Sequence, residues 1–298
     1  MEKALRIGYF ADGPWAHGAL ELLSNDSSLE IAFVCARHCR PDEYLRERAS
    51  EINVDFLVEE DVNSTAFIDR LRCYGSDLFV SMSFDQILRR QLYSLPRLGT
   101  INCHAGKLPY YRGRNVLNWA LINDEKEFGI TVHYIDDGVD TGDVILQSSY
   151  PICDTDDYGK LLEKAFFECP IILHRSIKSI YAGTAERISQ SSLASAGLIC
   201  TQRMAGDERL DWSTTSREVF NFVRALADPG PRATTNMGST AVKINKVEFI
   251  PDAPIYKGIP GAILAKHENG FLVKTGDSYI KILDWSSSAR LKVGGRFK

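Results

Sequence analysis

The first hundred residues alternate between short apolar runs and helix-length segments, and this alternation limits the fold more than any other feature. Runs of strand length occupy residues 5–10, 31–35, 77–82 and 99–104. Between them, residues 15–23, 44–52, 67–74 and 85–93 carry helical spacing, the last stopping before Pro96. Buried strands separated by helices of this length need cover on both sheet faces. The pattern therefore predicts an α/β domain: a Rossmann-like, mostly parallel sheet with helices on both faces.

After residue 104 the pattern changes. Residues 108–114 read as a loop and 115–122 as a short helix. Residues 129–135 and 143–150 read as strands joined by an acidic, Gly-containing turn, and 157–182 as a long helix capped by Gly183. A Ser-, Ala- and Gly-rich stretch follows and reads as a linker. Beyond it, residues 213–226 look helical, with Thr215 or Ser216 near the N-cap and Pro229 after the end. Residues 242–250, 261–266, 270–274 and 278–283 alternate between Gly, Asn and Asp turns, as in a small antiparallel barrel or sandwich. The expected organisation is a catalytic domain over 1–188, a linker over 189–206 and a β-rich domain over 207–298.

Charge and cysteine usage narrow the class. Lys and Arg total 35 against 39 Asp and Glu, a net charge of −4, which excludes a chain that coats nucleic acid by bulk charge. The seven cysteines are scattered and include no Cys-x-x-Cys. Cys35 and Cys39 flank His38, but no second ligand pair follows, so no metal is expected. Reduced thiols, an N-terminus without an apolar leader and the lack of a long apolar run point to a cytoplasmic protein with no membrane partner. A homodimer is expected because dimers are the commonest oligomers. Dinucleotide, phosphate-loop, serine-hydrolase and zincin signatures are all missing.

One stretch carries chemistry. In Asn102-Cys103-His104-Ala105-Gly106-Lys107-Leu108-Pro109, the strand period of two puts Asn102 and His104 on one face and Cys103 on the other. The pair sits at the C-terminal end of a parallel strand, where open α/β sheets place ligands. An amide beside an imidazole can hold an oxyanion and move a proton; the plainer reading is a polar strand end that caps a loop. A second stretch runs from His133 to Asp143 and places Asp140 in a tight turn. A carboxylate there can orient His104 and favour its protonated form, or can simply face water. His133 reads as a structural strand-end residue.

Taken together, Asn-x-His, Leu-Pro-x-x-Arg-Gly and His-x-x-Asp-x-Gly-x-Asp-Thr-Gly resemble the formyltransferases that use N10-formyltetrahydrofolate. The resemblance is strong over residues 77–147 and looser over the rest of the N-terminal half. It implies Asn102, His104 and Asp140 as the catalytic triad. A substrate amine would attack the formyl carbon, Asn102 would stabilise the oxyanion, and His104 and Asp140 would manage the proton. Which group removes that proton stays open. The folate is expected along residues 81–87, with Met82, Ser83, Phe84 and Ile87 lining it, and along Ile135, Asp136, Asp137, Gly138 and Val139. Phe84 and Ile87 also read as plain core residues.

The acceptor is read from Arg112-Gly113-Arg114-Asn115-Val116-Leu117-Asn118-Trp119, which looks like the sugar-nucleotide N-formyltransferases. Arg114 would meet a pyrophosphate and Asn118 the sugar, with Arg112 a further substrate-binding candidate, unless the arginines form surface ion pairs. Trp15 would wall the pocket or pack in the core. The resemblance thus implies formylation of a dTDP-linked 3- or 4-amino-dideoxy sugar for bacterial surface polysaccharide (O-antigen), with no nucleic acid expected. A UDP-linked sugar is one alternative. The other is methionyl-tRNA formyltransferase, which Leu210-Asp211-Trp212 and the OB-like C-terminal strands resemble. Against it stand the lack of a Gly- and Lys-rich insertion at residues 37–47, a C-terminal stretch that is not strongly basic, and the Arg-Gly-Arg…Asn-Trp form, which departs from the usual tRNA-enzyme sequence.

Overall fold

The computed structural model describes residues 3–298; Met1 and Glu2, where the first expected domain begins, lie outside them. In chain order, the first elements are β1 (Leu5–Ala11), α1 (Pro14–Ser24), β2 (Leu29–Ala36), α2 (Glu43–Glu51), β3 (Asp55–Val58), α3 (Thr65–Arg72), β4 (Leu78–Met82), α4 (Arg90–Tyr93) and β5 (Thr100–His104). Then come β6 (Arg112–Gly113), α5 (Val116–Ile122), β7 (Glu127–Tyr134), β8 (Val144–Pro151), α6 (Tyr158–Tyr181), α7 (Gln190–Leu193) and β9 (Ile199–Cys200). The last are α8 (Ser216–Leu226), β10 (Ala233–Met237), β11 (Thr240–Glu248), β12 (Ile263–His267), β13 (Gly270–Lys274) and β14 (Tyr279–Ser286).

The chain folds into two compact units that interleave in sequence. One holds the residues up to Gly113 with Phe128–Tyr150 and Glu163–Ile199; the other holds Arg114–Glu127, Pro151–Leu162 and Cys200–Lys298. Sequence position alone therefore does not separate them, because α5 groups with the C-terminal strands. The stretch read as a linker is also anchored: Gln190 is buried, and the Arg112 N–H donates to the Leu198 carbonyl at 3.1 Å. Its Ser- and Gly-rich composition reports a lack of periodicity, not a lack of partners.

The first unit is built on a seven-stranded sheet ordered β3-β2-β1-β4-β5-β7-β8. Strands β3 to β5 in that order run parallel, and β7 turns antiparallel to β5. Strand β3 has only four residues, too few to show a period. Phe10, Phe33 and Phe79 are buried and meet edge to face, with centroids 5.3–5.7 Å apart. A helix expected over residues 85–93 survives only as α4. Ser83 takes a positive φ of 57°, and side chains then claim the backbone: Asn63 Nδ2 donates to the Ile87 carbonyl and Asn63 Oδ1 accepts from the Arg89 N–H. An irregular segment thus leaves the end of β4, where the site is built.

The second unit packs α8 on a five-stranded antiparallel sheet ordered β10-β11-β14-β13-β12. A capping box starts α8: the Glu218 carboxylate accepts from the Thr215 N–H while the Thr215 hydroxyl accepts from the Glu218 N–H. Val219, Phe220, Val223 and Leu226 bury against the sheet. Arg217 donates to Asp124 and Asp154, tying α8 to the turn after α5.

Two outcomes test this packing. At Gly8 a Cβ would lie 2.5 Å from the Phe33 ring and 2.6 Å from Phe79. Gly8→Ala should destabilise the first unit by about 1–3 kcal/mol in urea unfolding, as overpacking does. Burial raises the Asp124 pKa, but Arg217 outweighs it and holds the carboxyl at about 2, below its ordinary 3.8. A depressed carboxylate stabilises the fold above its unfolded pKa and loses that contribution as pH falls. The stability gap between wild type and Asp124→Asn should therefore be constant above pH ~5 and shrink from pH ~4 toward 2. A pH-independent gap would mean that the charge is not its source.

Candidate active site

The site forms at the end of β5, whose position between β4 and β7 buries it on both edges. The register pairs Ser81 with Asn102 on one side, and Asn102 with His133 on the other. The period of two works as expected: Cys103 turns away, its thiol 3.7 Å from the Cys169 carbonyl of α6, while Asn102 and His104 share the opposite face.

Asp140 meets them from the loop between β7 and β8. Its Oδ1 lies 3.4 Å from Asn102 Nδ2 and 3.3 Å from His133 Nε2. Its Oδ2 accepts the Gly113 N–H at 2.8 Å and lies 3.7 Å from His104 Nδ1. Burial would raise the Asp140 pKa, but His104, His133 and the Gly113 N–H outweigh it and hold the carboxyl far below the usual range. Asp140 is therefore an anion at any working pH. His104 Nε2 lies 2.7 Å from the Tyr111 carbonyl, which can only accept, so Nε2 carries a hydrogen and Nδ1 is the nitrogen turned to Asp140. Asn102 is half-buried, and its two contacts, 3.3 Å to His133 and 3.4 Å to Asp140, are long, which leaves its N–H groups weakly committed.

His133, read from sequence as merely structural, is a full member of this cluster. Its Nε2 contacts both Asn102 and Asp140, and its Nδ1 donates to the Tyr134 carbonyl at 2.8 Å. Only the antiparallel register of β7 reveals this. Gln190 is a second missed residue: its amide reaches the Asp140 and Gly142 carbonyls. No short-range pattern announces it.

Of the expected acceptor residues, Arg112 and Asn118 are occupied by the fold itself. Arg112 donates through Nε and Nη2 to Gln190. Arg114 lies in the second unit, exposed, and donates to Gln202 at 3.1 Å. Asn118 is 3% exposed and gives its amide to the Ala225 carbonyl at 2.6 Å, so it is a structural residue and not a substrate contact. The neighbouring Trp119 Nε1 donates to the Thr201 carbonyl. Trp15 is half-buried and packs edge to face on Phe166, centroids 4.8 Å apart.

Residues 12–177 match the formyl transferase family, and residues 204–295 match the formyl transferase C-terminal domain. The chain belongs to the formyl transferase family. It is 30% identical to the methionyl-tRNA formyltransferase of Halothermothrix orenii, over 97% of this chain and 94% of that protein. It is 32% identical to that of Halalkalibacterium halodurans, over 85% and 78%. Among solved structures it resembles WlaRD, a sugar 3N-formyl transferase crystallised with dTDP and 5-N-formyl-THF, at 20% identity over 97% of this chain and all of that one, with a TM-score of 0.70. That likeness is one of fold. The amino-sugar acceptor expected from residues 112–119 does not survive, because curated relatives similar over 97% of the chain are named for methionyl-tRNA, and Arg112 and Asn118 are engaged internally.

As a formyl transferase the protein takes its one-carbon group from N10-formyltetrahydrofolate. The first unit fits such a donor. Phe84, Tyr93 and Ile135 pack on one core cluster, which brings the segment after β4 and the loop after β7 together. Ile87, in the segment after β4, is 74% exposed and Val139, in the loop after β7, 49%, so each of the two segments leaves apolar surface open. Met82 differs from expectation: its side chain is 1% exposed, its sulfur accepts from the Tyr9 hydroxyl and its carbonyl accepts from the Asp12 N–H. Asp136 and Asp137 shape the loop, Asp136 accepting from the Gly138 N–H and Asp137 from the Tyr93 hydroxyl. Among the described residues, no group of His, Cys, Asp and Glu is placed to hold a metal, and no helix is long and apolar enough to cross a membrane.

Because Asn118 is structural, Asn118→Ala should leave the Ala225 carbonyl unpaired and lower stability by about 1–3 kcal/mol. Steady-state KM for either substrate should not change. A raised acceptor KM at unchanged stability would return Asn118 to the site.

Proposed function

We propose that this protein is a methionyl-tRNA formyltransferase, moving a formyl group from N10-formyltetrahydrofolate to the α-amino group of methionyl-tRNA. The observation that carries the reading is similarity over 97% of the chain, both matched domains included, to proteins of that name. Charge distribution supports it. The net charge of −4 hides a division: residues 207–298 hold 14 Lys and Arg against 10 Asp and Glu, and the preceding residues 21 against 29. The C-terminal region is thus net positive where the rest is strongly negative, as suits contact with a phosphate backbone. Arg209, Arg296 and Lys298, all exposed, line one groove of about 380 Å³ in the second unit, with Asp211 the one acidic side chain among its lining residues. The total charge averages over this division, and an excess of four positive charges in 207–298 is modest, which is why the sequence alone does not mark the region as basic.

In this reading the residues divide the work. Asn102 Nδ2 donates to the carbonyl oxygen as it gains negative charge. Asp140 holds the imidazole of His104 turned toward it and stabilises positive charge there as the amine loses its proton; a proton is returned to N10 as its bond to the formyl carbon breaks and tetrahydrofolate leaves. Burial of this cluster keeps bulk water from competing with the amine.

The test is a transfer assay with N10-formyltetrahydrofolate and methionyl initiator tRNA. Formylmethionyl-tRNA should form, and its KM for tRNA should rise steeply with salt as released counterions are restored. Asn102→Ala should lower kcat by roughly 10²–10³ with tRNA binding retained. Failure of wild-type protein to formylate the tRNA would overturn the reading.

A further inference from the structure

Asp140 carries the charge of the site on a backbone that does not favour its own conformation. Its φ of 53° lies in the left-handed region, where a side chain with a Cβ is strained. The Gly113 N–H and the two imidazoles orient its carboxylate, but none of them holds its backbone. That task falls to a residue 50 positions away. Gln190 Nε2 donates to the carbonyls of both Asp140 and Gly142, each at 2.8 Å. The other end of the same amide, Oε1, accepts from Arg112 Nε at 3.0 Å and Nη2 at 2.6 Å. The guanidinium has donors only and the two carbonyls are acceptors only, so just one orientation of the Gln190 amide satisfies both sides. Arg112 is fixed in turn: its N–H bonds to Leu198, and a Cβ on Gly197 would overlap its guanidinium.

We propose that Arg112 and Gln190 are positioning residues, a two-member brace that holds the Asp140 backbone so that its carboxylate stays between His104, His133 and Asn102. The brace touches neither the carboxylate nor the imidazoles, and it acts only through Asp140. Arg112 belongs to the segment that also supplies the Gly113 N–H, so that segment reaches Asp140 directly at its side chain and, through Gln190, at its backbone. The role in turnover rests on the formyl-transfer reading above; the effect on Asp140 does not.

The experiment has two arms, each applied to Gln190→Ala, Arg112→Ala, the double variant and Gln190→Glu. In the first arm, steady-state kinetics with N10-formyltetrahydrofolate and methionyl initiator tRNA should show kcat down by roughly 10²-fold for Gln190→Ala, as for a misplacement of about 1 Å, with both KM values unchanged. Arg112→Ala should fall in the same direction. The double variant should lose no more than Gln190→Ala alone, because both residues act through one link. Gln190→Glu keeps a partner for Arg112 but turns an anionic oxygen to the two carbonyls, so it should behave like Gln190→Ala. In the second arm, ¹³C NMR follows the Asp140 carboxyl in the protein without substrates. The groups facing it are His104 from β5 and His133 from β7, with the Gly113 N–H. In Gln190→Ala the Asp140 titration should move up toward the ordinary carboxylate range.

Additive losses in the double variant, a rise in KM without a fall in kcat, or an unmoved Asp140 titration in a folded variant would overturn the brace. If Gln190→Ala does not fold, Arg112→Ala and Gln190→Glu carry the same readouts. A wild-type protein inactive on tRNA would sink the acceptor reading alone, since the titration arm decides the brace without turnover.

Discussion

A carboxylate removed from water costs several kcal/mol unless charges and donors replace its hydration, and the site depends on how this cost is met at Asp140. The replacements come from separate parts of the chain: the Gly113 N–H from the loop after β5, Asn102 and His104 from β5, and His133 from β7. Each contact is satisfied only if β5 lies between β4 and β7 in the observed register. The same interaction that keeps Asp140 ionised thus sets the amide and the imidazoles around one point. Structure and chemistry share one constraint, and a shift of β7 by one residue would turn His133 to the opposite face.

The loop after β5 shows how a short segment can serve several ends. Tyr111 gives its carbonyl to His104, Arg112 its guanidinium to Gln190, and Gly113 its N–H to Asp140. Three neighbouring residues thereby address three groups of the site from one stretch of backbone. These commitments explain why the arginine and asparagine pattern that follows does not mark an acceptor. In an isolated sequence, an Arg bonded to a buried Gln is indistinguishable from one waiting for a phosphate.

Much of the fold was legible in local pattern. Apolar runs marked β1, β2, β4 and β5, and alternation marked most of the C-terminal strands, because burial on both faces or one leaves that signature. The segment between β4 and α4 was not legible, because the side chain of Asn63, far off in sequence, takes backbone groups that a helix would have used, while Gln86 of the segment itself is drawn to the Glu59 carbonyl. The four-residue β3 and the position of α5 in the second unit were equally hidden, one by length and the other by the interleaving of the chain.

Sequence by itself determined that Asn102 and His104 share a face, since a strand has a period of two whatever surrounds it. It also determined the family, through three motif blocks in order, and the division of charge along the chain. Only tertiary structure decided that His133 joins the cluster, that Gln190 reaches Asp140 across 50 residues, and that Arg112 and Asn118 are spent inside the protein. The reason is range: rotation about the backbone is encoded residue by residue, whereas the partner of a buried polar group is chosen by whichever distant segment the packing brings within 3 Å.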